Sequence, residues 1–347
     1  MGISDYSSNA ILSKTHAMYA KHLTTEDFNS LMECENVSEV MAYLKNHTKY
    51  ADILAPFHED TIHRGQLEPL LRHHLFFDFA DLCRYEISVG EKFAIYFIEQ
   101  IEIEQILHFI NLLNCGRSEE YIYSLPLYFD KNTSIDLRAF PRIKSFNELV
   151  DFLEKSRYYK ILKPFKIKRD ERPDIARIEH ALYTYLYGTV LDIIGNDMSG
   201  SAQKEMFNIF FTHIDLLNFM YIHRLKKFYK FEPDEIKPFL FPRCRFTPKQ
   251  INSLCTAEST DERFKILMKT QTGHTVASLK YNYAYEMVQR ADYKIAKQYM
   301  TFSSNPVVVM MSYINLMRIE ISNIVNIVEA IRYNRPIDEI KRILYIN

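Results

Sequence analysis

The sequence has 347 residues, which at roughly 150 residues per domain is enough for two or three compact units. Hydrophobic residues make up 47% and charged residues 25%, values that exclude a disordered, collagenous or mucin-like chain. Only 8 residues are glycine, which argues against glycine-rich phosphate loops and hairpin-rich β architecture, and a formal net charge of -1 gives no overall signature of a nucleic-acid partner.

The cysteines and the N-terminal segment point to a reducing compartment. Five cysteines are widely spread and form no C-x-x-C pair, a pattern that fits free thiols better than a disulfide framework or a zinc site. The N-terminal sequence lacks the basic and apolar regions of a signal peptide, so we expect the protein to stay in the cytoplasm. The longest uncharged run, residues 298–317, is interrupted by polar residues and Pro306, and we expect no transmembrane segment.

Hydrophobic periodicity predicts helices along the whole chain. In chain order they are predicted over 38–45, with Ser38 as the N-cap, and over 91–113, 204–229 and 306–333. Alternation with a period of two is scarce, so the predicted fold class is all-α. The prolines predicted to lie in the connections are Pro56, Pro126, Pro164, Pro238 and Pro336.

An internal repeat of roughly 110 residues occurs three times. Each copy has a short first helix, a second helix with a glutamate near its start, and a long third helix. The first helices are predicted over 39–50, 148–159 and 262–270, in which Leu44, Leu153 and Leu267 align. The glutamates of the second helices are Glu68, Glu179 and Glu286. The matching segments of the third helices are 101–106, 214–219 and 319–324, which are spaced by 113 and 105 residues. After the second and third long helices, residues 233–237 match residues 337–341. The first helix of the third copy is the weakest match, because Gly273-His274 stands where the other two copies have an aromatic residue, Tyr50 and Tyr159.

Three copies predict three similar helical lobes, comprising residues 1–135, 136–247 and 248–347. The boundaries are expected within 130–141 and 241–248. Such lobes can close into a pseudo-threefold object, in which equivalent positions face a common axis and form a concave surface without a catalytic pocket.

Signatures of catalysis or cofactor binding are weak throughout the sequence. Residues 195–201 have the glycine spacing of a P-loop but lack its lysine, and we expect a loop between helices. His58, His63, His73 and His74 are close in sequence but form no H-E-x-x-H motif, so surface or interface histidines are favoured over a metal site. Neither a G-x-S-x-G elbow nor a cysteine in a nucleophile context is present. We expect no cofactor, no metal, no small-molecule substrate and no catalytic residue.

Each long helix carries an acidic residue and an amide three positions later. The pairs are Glu102 with Gln105, Asp215 with Asn218, and Glu320 with Asn323. Residues three apart share one face of a helix, here an otherwise apolar one. Two interpretations stay open: hydrogen bonds between helices that fix the packing inside each lobe, or the lining of a shared cavity that receives a partner.

Basic residues cluster between residues 155 and 172. They are Lys155, Arg157, Lys160, Lys163, Lys166, Lys168, Arg169 and Arg172, interleaved with Tyr158, Tyr159 and Phe165. This mixture could bind phosphate backbones, but the neutral chain and the adjacent Asp170 and Glu171 favour a solvated linker or a protein-docking edge.

The C-terminal helix carries the most specific resemblance to a known family. The pattern Arg-x-Glu-x-x-Asn-x-x-x-Ile over 318–327, the N-terminal Asn9-Ala-Ile-Leu12 followed by Asp27-Phe28, and the triplicated helical plan resemble the C-type subunits of archaeal and bacterial A/V-type ATPases. Their eukaryotic counterparts are the d-type subunits of the vacuolar ATPase. The resemblance covers the whole chain.

The resemblance implies a non-catalytic rotor subunit, shaped as a funnel of three helical lobes on the cytoplasmic face of the membrane. It would sit as a monomer in a hetero-oligomeric complex, on the proteolipid ring, with the central-stalk rotor subunits inserted into its open end. It would transmit torque between ATP hydrolysis or synthesis and proton or sodium transport. Candidate socket or lobe-fixing residues are Glu102, Gln105, Asp215, Asn218, Arg318, Glu320 and Asn323. The alternative is a free helical scaffold that holds soluble partners in the same concave surface.

Overall fold

A computed structural model describes residues 3–58, 64–85, 89–125, 133–168, 171–279, 281 and 284–344. The regular structure of these residues is helical and includes no β-strand, which confirms the all-α prediction. The α-helices are α1 (Ile3–Tyr19), α2 (Thr25–Met32), α3 (Val37–His47), α4 (Ala51–Leu54), α5 (Arg64–Tyr85), α6 (Gly90–Asn114), α7 (Tyr121–Ser124), α8 (Phe146–Phe152), α9 (Tyr159–Leu162), α10 (Ile175–Asp197), α11 (Gly200–Arg224), α12 (Pro233–Ile236), α13 (Pro248–Thr256), α14 (Thr260–Met268), α15 (Gln271–Val276), α16 (Ala284–Phe302), α17 (Pro306–Arg332) and α18 (Ile337–Ile343). Single 3-10 turns cover Ser118–Glu120, Leu137–Arg142, Lys163–Phe165 and Lys237–Phe239, and a π-helical turn covers Leu225–Tyr229.

The short helix α3 begins one residue before the predicted start. The Asn36 side chain, not that of Ser38, caps it by accepting a hydrogen bond from the Glu39 N–H at 2.9 Å. Asn36 has extended backbone angles, as an N-cap requires, so Ser38 falls inside the first turn. The predicted Ser38 cap was therefore wrong, because capping depends on the local backbone angles and several residue types serve equally.

The predicted prolines lie between the longer helices wherever the structure describes them. Pro164 and Pro238 sit in short 3-10 turns, Pro56 follows α4, and Pro336 caps α18. Pro126 lies outside the described residues. Residues 195–201, expected to form a loop between helices, span the end of α10 and the start of α11, so that only residues 198 and 199 connect the two helices.

The helices α6, α11 and α17, which carry the acid-amide pairs, end in the same way. Each is followed by one residue with a left-handed backbone: Gly116 (φ 68°), Lys230 (φ 58°) and Asn334 (φ 50°). The next residue then donates its N–H back to a helix carbonyl, from Arg117 to Leu112, from Phe231 to Leu225 and from Arg335 to Ala330. At the ends of α6 and α17 this hydrogen bond spans five residues, as in many helix C-termini that close around a left-handed residue. At the end of α11 it spans six residues, because a π-helical turn precedes Lys230. The three left-handed residues are 114 and 104 residues apart, close to the spacing of the sequence repeat.

Two compact units divide the chain, and one of them comprises described residues within 1–94, 122–132 and 296–347. Its central helix is α17, which packs against α1, α2, α3 and α5. Tyr313, Ile314, Met317 and Ile324 are among its buried residues. A helix that is apolar on nearly every side is stable when neighbours cover it all round, as they do here.

The second unit comprises described residues within 95–121 and 133–295. Its central helix α11 packs against α10, α13, α14 and α15. The core includes Leu216, Phe219, Ile222, Leu267 and Met287, each with 0% exposure. The threefold division at residues 135 and 247 stays a prediction.

One helix among the described residues, α17, is long and apolar enough to cross a membrane by length and composition. In its most apolar window 83% of the residues are buried inside the protein. Packing in the core of a folded unit therefore accounts for its composition.

Candidate functional site

The three acidic residues predicted from the repeat are all buried near the middle of their helices. Glu102 and Asp215 have 0% exposure and Glu320 has 5%. A buried carboxylate is costly unless hydrogen-bond donors or cations surround it. The partners of each carboxylate therefore show what it does.

Glu102, on α6, binds the segment that precedes the 3-10 turn at Leu137. Its carboxylate accepts hydrogen bonds from the Ser134 N–H, from the Ser134 hydroxyl at 3.1 Å and from the Thr133 hydroxyl at 2.8 Å. A fourth donor is the Tyr158 hydroxyl at 2.5 Å. Burial, and after it the Glu102 charge, raises the pKa of Tyr158 far above its usual value, so this phenol stays protonated and donates.

Asp215, on α11, binds the segment that precedes α13. It accepts the Arg245 N–H at 2.8 Å, the Arg245 guanidinium Nε at 3.0 Å and the Thr272 hydroxyl at 2.5 Å. The same guanidinium donates to Asn208 and Thr212. Burial raises the pKa of Asp215, and the hydrogen bonds from Thr272 and Arg245 offset part of that rise.

Glu320, on α17, binds the segment that precedes α2. It accepts the Leu23 N–H at 2.8 Å and the Tyr50 hydroxyl at 2.7 Å, and the Lys49 ammonium lies 2.8 Å from it. The Lys49 ammonium also contacts the Met317 sulfur and lies 5.1 Å from the centre of the Tyr50 ring. Burial, and after it the Glu320 charge, raises the pKa of Tyr50 well above its usual value.

The three carboxylates thus share one bonding scheme, which we call the carboxylate clamps. Each clamp takes one backbone N–H from a connecting segment and a side-chain hydroxyl from a residue 24 to 27 positions after that N–H donor; Glu102 also accepts the hydroxyls of Thr133 and Ser134. The N–H donors Leu23, Ser134 and Arg245 are spaced by 111 residues, and the hydroxyl donors Tyr50, Tyr158 and Thr272 by 108 and 114. For Glu102 and Asp215 the donors follow the acid in sequence, whereas for Glu320 they come from the N-terminal part of the chain.

The amides of the pairs have partners of their own. Gln105 is half-buried and accepts the Tyr121 hydroxyl at 2.9 Å. Asn218 is fully buried and forms two hydrogen bonds with the backbone of Phe241, accepting its N–H at 2.7 Å and donating to its carbonyl at 3.0 Å. Asn323 is buried on α17 and Arg318 is half-buried. Of the two interpretations of the pairs, this geometry favours fixation of the packing, because the carboxylate oxygens of the acids accept hydrogen bonds from other segments of the same chain.

Sequence reasoning found the acids but missed their donors. The structure uses Tyr158, with 0% exposure, where the sequence repeat pairs Tyr159 with Tyr50. No sequence motif marks Arg245 or Thr272 as a donor. One signal is present: Arg245 lies inside 241–248, the segment predicted as a boundary, and a long basic side chain beside an expected buried acid is a natural partner.

The basic cluster between residues 155 and 172 is partly neutralised. Arg157 forms an ion pair with the buried Glu99, and Lys166 forms one with Asp151. Lys163 lies 5.4 Å from the centre of the Tyr159 ring. Arg169 and Asp170 lie outside the described residues. These pairings favour a protein surface or linker over a row of free cations for a phosphate backbone.

The histidines form small separate contacts. His74 lies 3.7 Å from Asp78, and His73 meets the Phe77 ring edge-on. His63 lies outside the described residues. Among the described residues, no three or more His, Cys, Asp or Glu side chains are grouped so as to hold a metal ion.

Comparison with known proteins gives one finding for almost the whole chain. Residues 11–343 match the family model of the ATP synthase (C/AC39) subunit. No curated protein sequence matches the chain at a significant level.

Proposed function

Because the chain belongs to the ATP synthase (C/AC39) subunit family, we propose that it is a non-catalytic rotor subunit of a V/A-type ATPase. In this role it couples the central stalk to the membrane-embedded proteolipid ring. It transmits torque between ATP hydrolysis or synthesis and the transport of protons or sodium ions. The observation that carries the proposal is the family match over residues 11–343.

The carboxylate clamps support a mechanical role. A part that passes torque must deform little under load, and dense packing gives protein interiors low compressibility. Each clamp adds hydrogen bonds from a connecting segment to a buried carboxylate in the middle of a long helix. Hydrogen bonds to an ionised group are about twice as strong as neutral ones. Segments that would otherwise move against the helices are thereby fixed.

The proposed location is the cytoplasmic face of the membrane, within a hetero-oligomeric complex. The partners are the proteolipid ring on one side and the central-stalk subunits on the other. The clamp residues Glu102, Asp215 and Glu320, with Asn218, fix the packing that shapes both contact surfaces.

The first test is recovery of partners from native membranes. The tagged full chain is purified from gently solubilised membranes, and the co-purifying proteins are identified by mass spectrometry. We expect the proteolipid and the central-stalk subunits. Recovery of soluble proteins alone would contradict the coupling role and favour the helical scaffold.

A second measurement tests torque transmission itself. In membranes that lack this subunit, the catalytic sector should still hydrolyse ATP, but hydrolysis should no longer drive ion transport into vesicles. Adding back the purified chain should restore transport. Transport at the full rate without the subunit would overturn the proposal.

A further inference from the structure

The turn that ends α11 places two aromatic side chains in solvent among lysines. Residues 225–230, Leu-Lys-Lys-Phe-Tyr-Lys, form the segment that we call the 225–230 turn. Phe228 is 69% exposed and Tyr229 is 56% exposed. Lys226, Lys227 and Lys230 flank them, and the segment contains no acidic residue. Exposed large aromatic side chains side by side are typical of an interaction surface.

The backbone holds these side chains outward. α11 continues into a π-helical turn, and Lys230 then adopts a left-handed conformation with φ 58°. The N–H of Phe231 closes the turn on the Leu225 carbonyl at 3.3 Å. π-helical turns are rare and occur often at functional sites. The exposure of Phe228 and Tyr229 therefore belongs to a defined, closed turn.

The cations are directed at the aromatic rings as well as at solvent. The Lys227 ammonium lies 5.3 Å from the centre of the Phe228 ring. The nearest acids along the chain lie at the start of α12: Glu232 is its N-cap residue, Glu235 accepts the Glu232 N–H at 2.7 Å, and Asp234 pairs with Lys237 at 2.8 Å. Residues 223–232 therefore carry Arg224 and the three lysines of the turn against a single acid, Glu232.

The end of α17 repeats this chemistry in the other unit. Tyr333 is 65% exposed, and the Arg332 guanidinium lies 5.7 Å from the centre of its ring. Asn334 is left-handed, like Lys230. At the end of α6, by contrast, Arg117 is bound by Glu120 at 2.5 Å. An exposed aromatic ring under a basic side chain therefore occurs at two of the three equivalent helix ends.

We propose that the 225–230 turn binds the headgroup layer of an anionic phospholipid membrane. Tyrosine rings, which have one polar end, prefer the membrane-water interface, and phenylalanine rings on basic amphipathic segments are buried at the boundary between headgroups and acyl chains. Lysines are attracted to acidic headgroups. Phe228 and Tyr229 enter the interface while Lys227 and Lys230 contact lipid phosphates. This inference goes beyond the proposed function, because the contact is made with lipid and needs no protein partner.

The absence of tryptophan from the sequence gives a direct probe. A Phe228→Trp variant of the full chain carries a single tryptophan at the proposed contact. Its fluorescence and its co-sedimentation are measured with vesicles of phosphatidylcholine alone and with vesicles that also contain phosphatidylserine. The matched control is Phe302→Trp, because Phe302 is 82% exposed and residues 298–305 around it are uncharged.

A charge variant isolates the contribution of the lysines. It combines Phe228→Trp with Lys227→Gln and Lys230→Asn; asparagine tolerates the left-handed backbone at position 230. Each cation near an acidic bilayer changes binding about fivefold, so the double replacement should weaken binding about 25-fold. Thermal melting followed by circular dichroism confirms that each variant is folded.

The expected result is a blue shift of the Phe228→Trp emission with phosphatidylserine vesicles, lost in the charge variant and reduced at high salt. Phe302→Trp should show no shift. Three results would overturn the proposal: no binding to acidic vesicles, equal binding to uncharged vesicles, or equal shifts at positions 228 and 302. Binding of the turn to the detergent-purified proteolipid ring, with no binding to vesicles, would reassign the surface to a protein partner. Because the vesicle experiments use the purified chain without any protein partner, failure there leaves the partner-recovery experiment unaffected.

Discussion

At the scale of single residues, Glu320 connects parts of the sequence that are far apart. Its carboxylate receives the N–H of Leu23, which is 297 positions away, together with the Tyr50 hydroxyl and the Lys49 ammonium. The Lys49 side chain is only 7% exposed. Removing one member of a buried ion pair leaves an uncompensated charge, which costs more than the pair contributes.

Replacement of Glu320 should therefore destabilise the protein strongly. We expect Glu320→Gln to lower the free energy of unfolding by about 3–5 kcal/mol, and Glu320→Lys by more, since the new ammonium would face Lys49. Ser322→Lys is the control, because Ser322 is exposed on the same helix. Denaturant unfolding and complex assembly are compared for the three variants. An unchanged free energy of unfolding together with unchanged assembly in Glu320→Lys would contradict the clamp.

His223 should make the protein sensitive to mild acid. Burial, and after it the charges of Arg263 and Lys227, lowers the pKa of His223 from 6.5 to about 4. In the unfolded chain the His223 imidazole binds a proton near pH 6.5, whereas in the folded chain it does so only near pH 4. The free energy of unfolding therefore decreases as the pH falls from 6.5 to about 4.

The measurement for His223 is the free energy of unfolding against pH, in the wild type and in His223→Gln. The wild type should lose up to about 3 kcal/mol more than the variant between pH 7 and pH 4. Parallel curves for the two proteins would show that His223 does not titrate differently in the folded state.

At the scale of elements, the left-handed residues that end α6, α11 and α17 have different side chains at equivalent points. Glycine adopts positive φ without steric cost. Lysine is strained in this conformation, and asparagine is strained less because its short polar side chain can hydrogen-bond locally. A Cβ added at Gly116 would meet no atom within 4 Å, so any cost of substitution there comes from the backbone alone.

Two substitutions at these ends should have opposite signs. Gly116→Ala should lower stability by about 1 kcal/mol, because alanine is strained at φ 68°. Lys230→Gly should raise it by a similar amount, about 1 kcal/mol, by relieving the same strain. Both are measured by denaturant unfolding of the full chain, with Gly188→Ala as the control inside α10, where a Cβ also meets nothing within 4 Å. A loss of stability in Lys230→Gly would refute this account of the helix ends.

At the scale of the whole molecule, the division into two units predicts that clamps act locally. Glu320 and its donors lie in one unit, whereas Asp215 and its donors lie in the other. Local opening of a protein occurs in cooperative parts, each with its own free energy.

Hydrogen exchange with mass spectrometry should separate these parts. Glu320→Gln should speed exchange in α1, α2 and α17, and Asp215→Asn should do so in α11, α13 and α15. Each variant serves as the control for the other. Faster exchange spread evenly over both units in either variant would show that the chain opens as one cooperative body.

The sequence by itself determined the helical class, the approximate bounds of α6, α11 and α17, and the positions of the three buried acids. These features depend only on the spacing of residues that are close in sequence. Apolar periodicity predicts a helix, and an acid on an apolar helix face can be recognised without knowing which groups it binds. The repeat and the resemblance around residues 318–327 also indicated the family to which the chain belongs.

Only the tertiary structure decided which groups the acids bind. Leu23 donates a backbone N–H, which every residue except proline possesses, so no side-chain pattern could single it out. Tyr158 and Tyr159 are adjacent and chemically identical, and the turn that precedes α9 decides which of them is buried against Glu102. The grouping of the N-terminal and C-terminal segments into one unit was likewise invisible, because contacts between residues hundreds of positions apart depend on how the helices pack and not on local preference.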